Sequence, residues 1–482
     1  MAGKPRAFKP PSFGHPGTIG VLTTTPKRDS IQDDRERQAD PDRLGFVFPR
    51  REKAVERMAA GLMDTTASEL DRADPLARFR SEFFLPPGRI YLDGNSLGPL
   101  SRRSEASTLR VLDAWKRQGI GGWLEGEPAW FTLAEEVGAA MCGLVGAEAA
   151  EVVAANSTTV NLHQLLATLY RPEGTRTKIL ADALSFPTDV YAIESHLRLR
   201  GLDPATHLSL VASDDGRTLS ERAIIEAMTG EVALAVLPSV VYRSGQLLDM
   251  AALAAKGRAR GVMVGFDCSH SVGVVPHQFD AWGVDFAFWC SYKYLNGGPG
   301  AVGALYLNRR HFGAAPGLAG WFGSRKDRQF AMVHHFEPAE GAGGLQIGTP
   351  SILGLAPLIG ALEVVNEAGI DAIRAKSLAL TAYLRELAET KLSRFGFVSV
   401  TPIEDDRRGG HLALAHPEAP RICRALIDVG VIPDHRPPDI VRIAPVPLYT
   451  RFEDCREAVD HLESIMHRRA YETYPTKSGL IT

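Results

Sequence analysis

Between about residues 140 and 310, short apolar segments alternate with helical ones, and that alternation leaves few ways to fold. Val152–Ala154, Ile179–Ala181, Leu208–Val211, Val232–Leu237, Val262–Phe266 and Val284–Cys290 are runs of strand length. Such repeated pairing of a strand with a helical crossover predicts a mostly parallel sheet. Ala301–Leu307 adds a strand expected to be antiparallel. Upstream, Thr66–Phe84 reads as a helix ending at Pro86-Pro87-Gly88, and Arg89–Asp93 as a short strand feeding the turn Gly94–Pro99. Downstream, Ile352–Lys391 reads as a long amphipathic helical region. A smaller unit follows it, with strands such as Val398–Val400 and His411–Leu414 and a helix over Pro420–Gly430. The expected fold is α/β: a large, mixed, mostly parallel sheet domain with a smaller C-terminal α+β domain.

Two strands end on chemistry. Val262–Phe266 delivers Asp267-Cys268-Ser269-His270, and Val284–Cys290 runs into Ser291-Tyr292-Lys293 and then Asn296-Gly297-Gly298-Pro299-Gly300. Each residue alone has a plain structural reading, Asp267 as a helix cap and Lys293 as a surface lysine. Together they suit pyridoxal phosphate, whose aldehyde takes a lysine and whose ring nitrogen needs an acid to stay protonated. Ala155–Asn161 is rich in small hydroxyl residues between a strand and a helical run, so Thr158 and Thr159 either hold a phosphate or cap the helix. Phe186, in Phe186–Asp189 after the next strand, either stacks on a flat ring or packs in the core. His270 would orient Asp267 or touch the phosphate, and His277 reads as a loop residue. The spacing Asp267-x-x-His270 lacks further metal ligands. Gly320-Trp321-Phe322-Gly323 reads as a ligand wall, a subunit contact or plain structure. Arg442, inside the apolar run Ile440–Ala444, needs an anionic partner, either a substrate carboxylate or an internal acid.

Composition narrows the classes. The 482 residues have a net charge of −3, with 45% hydrophobic and 23% charged. That is ordinary for a globular protein and supplies no basic face for nucleic acid or membrane. No apolar run approaches the roughly 18 residues that span a bilayer. Five scattered cysteines without a Cys-x-x-Cys pair fit a reducing, cytoplasmic setting. Residues 1–62 read as a disordered extension. The expected division continues with 63–115 packing on the small domain, 116–355 as the cofactor-binding domain and 356–482 as the small domain.

With these residues in place, the chain resembles the kynureninase family, fold-type-I pyridoxal phosphate enzymes related to the class V aminotransferases. The likeness runs from about Arg80 through the Arg442 strand and its helix. It rests on Tyr91–Leu100, Asn156–Asn161, Phe186–Asp189, Asp267–Gly273, Ser291–Gly300, Gly320–Gly323, Gly348–Pro350 and Arg442–Tyr449. The resemblance implies Lys293 as the Schiff-base lysine and Asp267 on the ring nitrogen. Phe186 would stack on the ring. Thr158, Thr159, Pro187, Thr188, Asp189, His270 and Tyr292 would lie around the cofactor. It further implies Arg442, Asn95 and Ser96 at the substrate. Trp321 and Thr349 would belong to the neighbouring subunit's site in a homodimer. Thr349 stands where animal members carry asparagine, a bacterial-type pattern.

The implied reaction is hydrolytic Cβ–Cγ cleavage of L-kynurenine, or its 3-hydroxy form, to anthranilate, or 3-hydroxyanthranilate, and L-alanine. It would serve tryptophan degradation or the supply of NAD precursors. Lys293 would act as base at Cα and Tyr292 as proton relay at the γ-carbonyl. A cysteine desulfurase or selenocysteine lyase would need a nucleophilic cysteine on a loop after the lysine, and none occurs between Cys290 and Cys423. The same fold and cofactor would also suit an aminotransferase or a cofactor-binding regulator.

Overall fold

The computed structural model describes residues 66–475, so the expected extension over 1–62 lies outside the described residues. After the short strand β1 (Ile90–Tyr91) come seven strands of one sheet: β2 (Val152–Ala154), β3 (Lys178–Asp182), β4 (Leu208–Val211), β5 (Val232–Pro238), β6 (Met263–Asp267), β7 (Phe286–Cys290) and β8 (Gly303–Leu307). Their order is β2-β8-β7-β6-β5-β3-β4. Strands β3 to β7 run parallel, and β8 runs antiparallel to both its neighbours, as expected for Ala301–Leu307. β5, β7 and β8 are buried along their whole length, and such strands carry unbroken apolar runs because both faces are covered. Gly265 in β6 admits the Phe286 ring of β7; a Cβ there would stand 2.0 Å from it.

Helix α1 (Arg102–Gln118) packs on a later helix, while α2 (Thr158–Leu169) and α3 (Pro187–Leu199) follow β2 and β3. Two expected helices are broken. Thr66–Phe84 is a helix only over Ala67–Ala73, opened by the Thr66–Glu69 capping box, with a 3-10 segment over Ala77–Glu82. Pro75 between them denies a backbone donor. The span Ile352–Lys391 is α4 (Ile352–Ala368) and α5 (Ile370–Leu392), bent by 79° at Gly369. That glycine has φ +79°, which side chains rarely adopt.

The C-terminal part holds β9 (Val398–Ser399), β10 (Leu412–Ala415), β11 (Val431–Ile432), β12 (Asp434–Arg436) and β13 (Ile440–Ile443). Four of these form an antiparallel sheet in the order β12-β13-β10-β9. Together with α5 and α6 (Phe452–Arg468), they enclose a second apolar core that includes Leu384, Leu426 and Leu462. β1 pairs in parallel with β11, and Asp93 bridges Ala444. This pairing carries the Gly94–Pro99 turn to the carboxyl edge of the large sheet, where Gly98 N–H donates to Tyr292 O at 2.7 Å. Open α/β sheets bind ligands at that edge.

Candidate active site

Asp267 is the last residue of β6, and Lys293 lies three residues beyond β7, so adjacent parallel strands deliver both to one edge. They line a cavity of about 290 Å³. Ser269 N–H donates to Asp267 Oδ1 at 2.9 Å, and the Asp189 carboxyl is hydrogen-bonded to the same side chain. Lys293 Nζ lies 2.9 Å from His270 Nε2. Burial, reinforced by Lys293 and Arg442, holds the His270 imidazole well below its ordinary pKa, so the ring is neutral where it meets Lys293. His270 Nδ1 has no hydrogen-bond partner among the described residues.

Thr158, Thr159, Phe186, Thr188, Asp189 and Tyr292 share this lining, and Pro187, at the start of α3, does not. Ser157 precedes α2 without a side-chain cap, leaving that helix N-terminus open toward an anion. The Thr159 and Thr188 hydroxyls lie 3.1 Å apart. Phe186 meets Tyr242 edge-to-face at 5.3 Å, with its own ring about 40% exposed. Burial and then the Asp267 charge push the Asp189 carboxyl well above its ordinary range. Nearby Cys290 and then burial push the Tyr292 phenol up, so it remains a proton donor at neutral pH. An open helix end for phosphate, a lysine for an aldehyde, a fixed carboxylate and an unpartnered imidazole nitrogen together fit pyridoxal phosphate.

Arg442 is fully buried and does not reach the cavity wall. Its Nη2 lies 2.6 Å from Asp434 Oδ2 and donates to Ser96 Oγ at 2.8 Å; Nη1 donates to Tyr242 O at 2.9 Å. With the Asn95 amide nitrogen turned toward Asp93 Oδ1 (3.2 Å), the Asn95 oxygen accepts from Arg442 Nε at 3.1 Å. Of the two partners open to Arg442 from sequence, an internal acid is present here. Ser96 does line the cavity, whereas Asn95 is wholly buried behind it. Trp321 and Thr349 are solvent-exposed and absent from the lining. His277 is in a loop, as expected, but buried, with Nε2 2.9 Å from Ser271 Oγ.

Sequence reasoning missed Arg436, Tyr242, Asp434 and His411. Arg436 and Tyr242 line the cavity, and His411 is buried beside His270 at 6.1 Å between ring centroids, with neither of its nitrogens partnered among the described residues. Asp434 had one legible signal: two charges of opposite sign flanking Pro437-Pro438 at a spacing that lets a hairpin pair them.

Burial, then the Asp434 charge, raises the Asp93 carboxyl to about 7, against the opposing pull of Arg442, the Ser96 hydroxyl and Arg436. A folded pKa above the unfolded one means stability that is full below about pH 4 and falls as pH rises through 7. Asp93→Asn, neutral throughout and still able to accept from Asn95, should lose less stability over that window. Urea unfolding at pH 5 and 8 should show wild type falling further than the variant, by up to about 1.4 kcal/mol per pH unit. Parallel pH profiles would refute it.

The Kynureninase C-terminal domain family matches residues 373–462 and the Aminotransferase class-V family residues 131–416. The chain is 55% identical over 415 residues to the kynureninase of Geobacillus thermodenitrificans (strain NG80-2) and 53% identical to that of Bacillus anthracis, in each case covering 86% of this chain and 97% of the relative. Among solved structures, the cystine C–S lyase C-DES superposes with TM-score 0.67 at 16% identity over 79% of this chain and 97% of its own. The apo cysteine desulfurase from Thermococcus onnurineus NA1 does so with TM-score 0.67 at 16% over 81% and 98%. At such identity those two speak for the fold alone. Identity at more than half of the 415 matched positions, with family matches over both the Lys293 region and the Arg442 region, makes this chain a member of the kynureninase family.

Proposed function

We propose that the protein is a pyridoxal phosphate-dependent kynureninase: L-kynurenine and water give anthranilate and L-alanine by cleavage of the Cβ–Cγ bond. The observation that carries the reading is the convergence of Lys293, Asp267 and the open α2 N-terminus on one cavity, in a chain of this family. When bound, pyridoxal phosphate supplies the electron sink for carbanion chemistry. Asp267 keeps a proton on the ring nitrogen. Phe186 offers its face to the ring, with Thr158, Thr159, Pro187, Thr188, Asp189 and His270 around it. The Lys293 amine, once freed, removes the Cα proton, and neutral His270 at 2.9 Å is placed to accept from it. Tyr292 hands its phenolic proton to the γ-carbonyl as water adds there. The substrate carboxylate faces the guanidinium end of the cavity, where Ser96 and Arg436 stand before Asn95 and Arg442.

The chain acts as a homodimer in the cytoplasm. Leu109 and Trp115 of α1, with Ile120 and Leu124, are exposed apolar residues, as are Phe330 and Met332 in the Trp321–Val333 loop, whose Phe322 meets Trp123 at 5.8 Å between ring centroids. Single subunits rarely leave so much apolar area to water. A second copy would cover it and take Trp321 and Thr349 toward its own cavity. The five unpaired cysteines accord with a reducing compartment. Both 3-hydroxykynurenine and kynurenine are expected to be substrates. A sulfur-lyase reading is disfavoured because Cys268, Cys290, Cys423 and Cys455 are buried, and burial raises each thiol.

The test feeds kynurenine and 3-hydroxykynurenine in parallel to holoenzyme while the fluorescence of the aromatic amine product is followed. Tyr292→Phe should slow cleavage by about 10²-fold or more, in line with loss of a general acid, while proton loss at Cα persists as exchange of the Cα hydrogen for deuterium. An unimpaired variant removes Tyr292 from the reaction, and absence of any amine product from wild type overturns the activity.

A further inference from the structure

One buried titratable group that the proposed reaction leaves unused is His277. It is 1% exposed, and its ring stacks on Phe279 at 5.0 Å between centroids. Its Nε2 lies 2.9 Å from Ser271 Oγ, which is 2.7 Å from Ser239 Oγ. Ser239 Oγ in turn lies 3.0 Å from the Asp267 carbonyl oxygen, which also accepts from Ser239 N–H at 2.8 Å. Both serines are wholly buried. A continuous run of polar atoms therefore leads from the His277 ring to the main chain of Asp267.

Counting protons gives the run a direction. Oxygens 2.7 Å apart are a hydrogen-bonded pair, so one serine donates to the other, and each hydroxyl has a single proton. In one order Ser239 donates to Ser271, whose own proton goes to Cys268 O, 3.2 Å away. In the other Ser271 donates to Ser239, whose proton then reaches Asp267 O at 3.0 Å. The second order uses the shorter contacts and lets each hydroxyl accept once and donate once, an arrangement in which successive bonds strengthen one another. It also requires a proton on His277 Nε2, because a bare Nε2 would draw the Ser271 proton to itself. Burial, with a smaller push from Arg374, lowers the imidazole to about 3, so the ring is neutral and carries one N–H. Its Nδ1 has no hydrogen-bond partner among the described residues. A proton there would be a buried donor without an acceptor, the costlier state, whereas on Nε2 it meets Ser271.

We propose that His277 is a positioning residue for Asp267: its Nε2–H starts a one-way chain of donors through Ser271 and Ser239 that holds the Asp267 main chain, and with it the carboxylate that serves the cofactor ring nitrogen. The purpose of the chain rests on the pyridoxal phosphate reading, yet none of its three members lines the cavity.

The experiment compares full-length wild type with Ser271→Ala, His277→Phe, His277→Gln and the double variant Ser271→Ala/His277→Phe. Pyridoxal phosphate affinity is read by equilibrium dialysis, the fold by urea midpoint, and proton positions by neutron diffraction from wild-type crystals. Loss of one hydrogen bond from the chain should weaken cofactor binding in Ser271→Ala about 3- to 10-fold and lower kcat by a similar factor, with KM for L-kynurenine within about twofold. His277→Phe keeps a ring against Phe279 and should lose as much. The double variant should lose no more than either single one, since two cuts in one chain count once. His277→Gln should recover most of the loss, because its amide can donate where Nε2–H does. The neutron map should place the His277 proton on Nε2. Additive losses, His277→Gln no better than His277→Phe at equal urea midpoints, unchanged cofactor affinity in Ser271→Ala, or a proton on Nδ1 would each overturn the proposal. If His277→Phe fails to fold, Ser271→Ala, which removes a single oxygen atom, decides. Wild type that binds no pyridoxal phosphate would sink the cofactor reading instead, and the proton on His277 would still judge the order of the chain.

Discussion

Lys293→Ala is expected to abolish the covalent hold on the cofactor and to lower kynurenine turnover by at least about 10³-fold. The amine has two duties in the proposed reaction, joining the cofactor aldehyde and then moving the Cα proton. Proton transfer by one positioned group is commonly worth about 10² to 10⁴ in rate. Among the described residues no other lysine lines the cavity, so no neighbour can take over. The fold should survive, because Lys293 is partly exposed and its one side-chain bond goes to His270. The variant should therefore unfold within about 1 kcal/mol of wild type, as for substitutions outside the core. Borohydride reduction of the wild-type holoenzyme followed by peptide mapping should place the label on residue 293 alone. Label on another lysine, or a variant keeping a tenth of its activity, would end this account of the site.

Arg442→Leu is expected to cost stability rather than chemistry first, by about 3 kcal/mol. Arg442 and Asp434 are 0% and 1% exposed and 2.6 Å apart. Removing one partner of a buried pair typically costs about 3–5 kcal/mol, because the other charge is left without compensation. The lower end applies, since Arg436 still reaches Asp434 at 2.5 Å. Removing both charges should then hurt less than removing one. Arg442→Leu with Asp434→Leu should be more stable than Arg442→Leu alone, because two well-packed leucines leave no orphaned ion. Urea midpoints at unchanged slope provide the measurement. A single variant within 1 kcal/mol of wild type, or strictly additive effects, would show that the pair carries little energy.

The same pair marks where reading from sequence stops. Asp267 and Lys293 were legible because each comes at or within three residues of the end of an apolar run, and a parallel sheet aligns its carboxyl ends whatever its strand order. Their shared cavity therefore follows from local pattern plus one rule about open sheets. The strand at Ala301–Leu307 and its antiparallel direction were legible in the same way. Helix ends were less so: Asp74-Pro75 and Gly369 interrupt patterns whose apolar spacing continues across them.

By itself, then, the order of residues determined the sheet, the two functional strand ends and the kind of cofactor they suit. Only the folded chain decided which guanidinium meets the cavity. Arg436 and Arg442 lie six positions apart on paired strands, and nothing in their local sequence ranks one above the other. Docking of β1 on β11, together with the hairpin register that sets Asp434 opposite Arg442, buries Arg442 behind the cavity and leaves Arg436 in its wall. Burial and pairing are properties of contacts between residues far apart along the chain, here Ser96 with Arg436 and Arg442, and such contacts exist only once the backbone has closed.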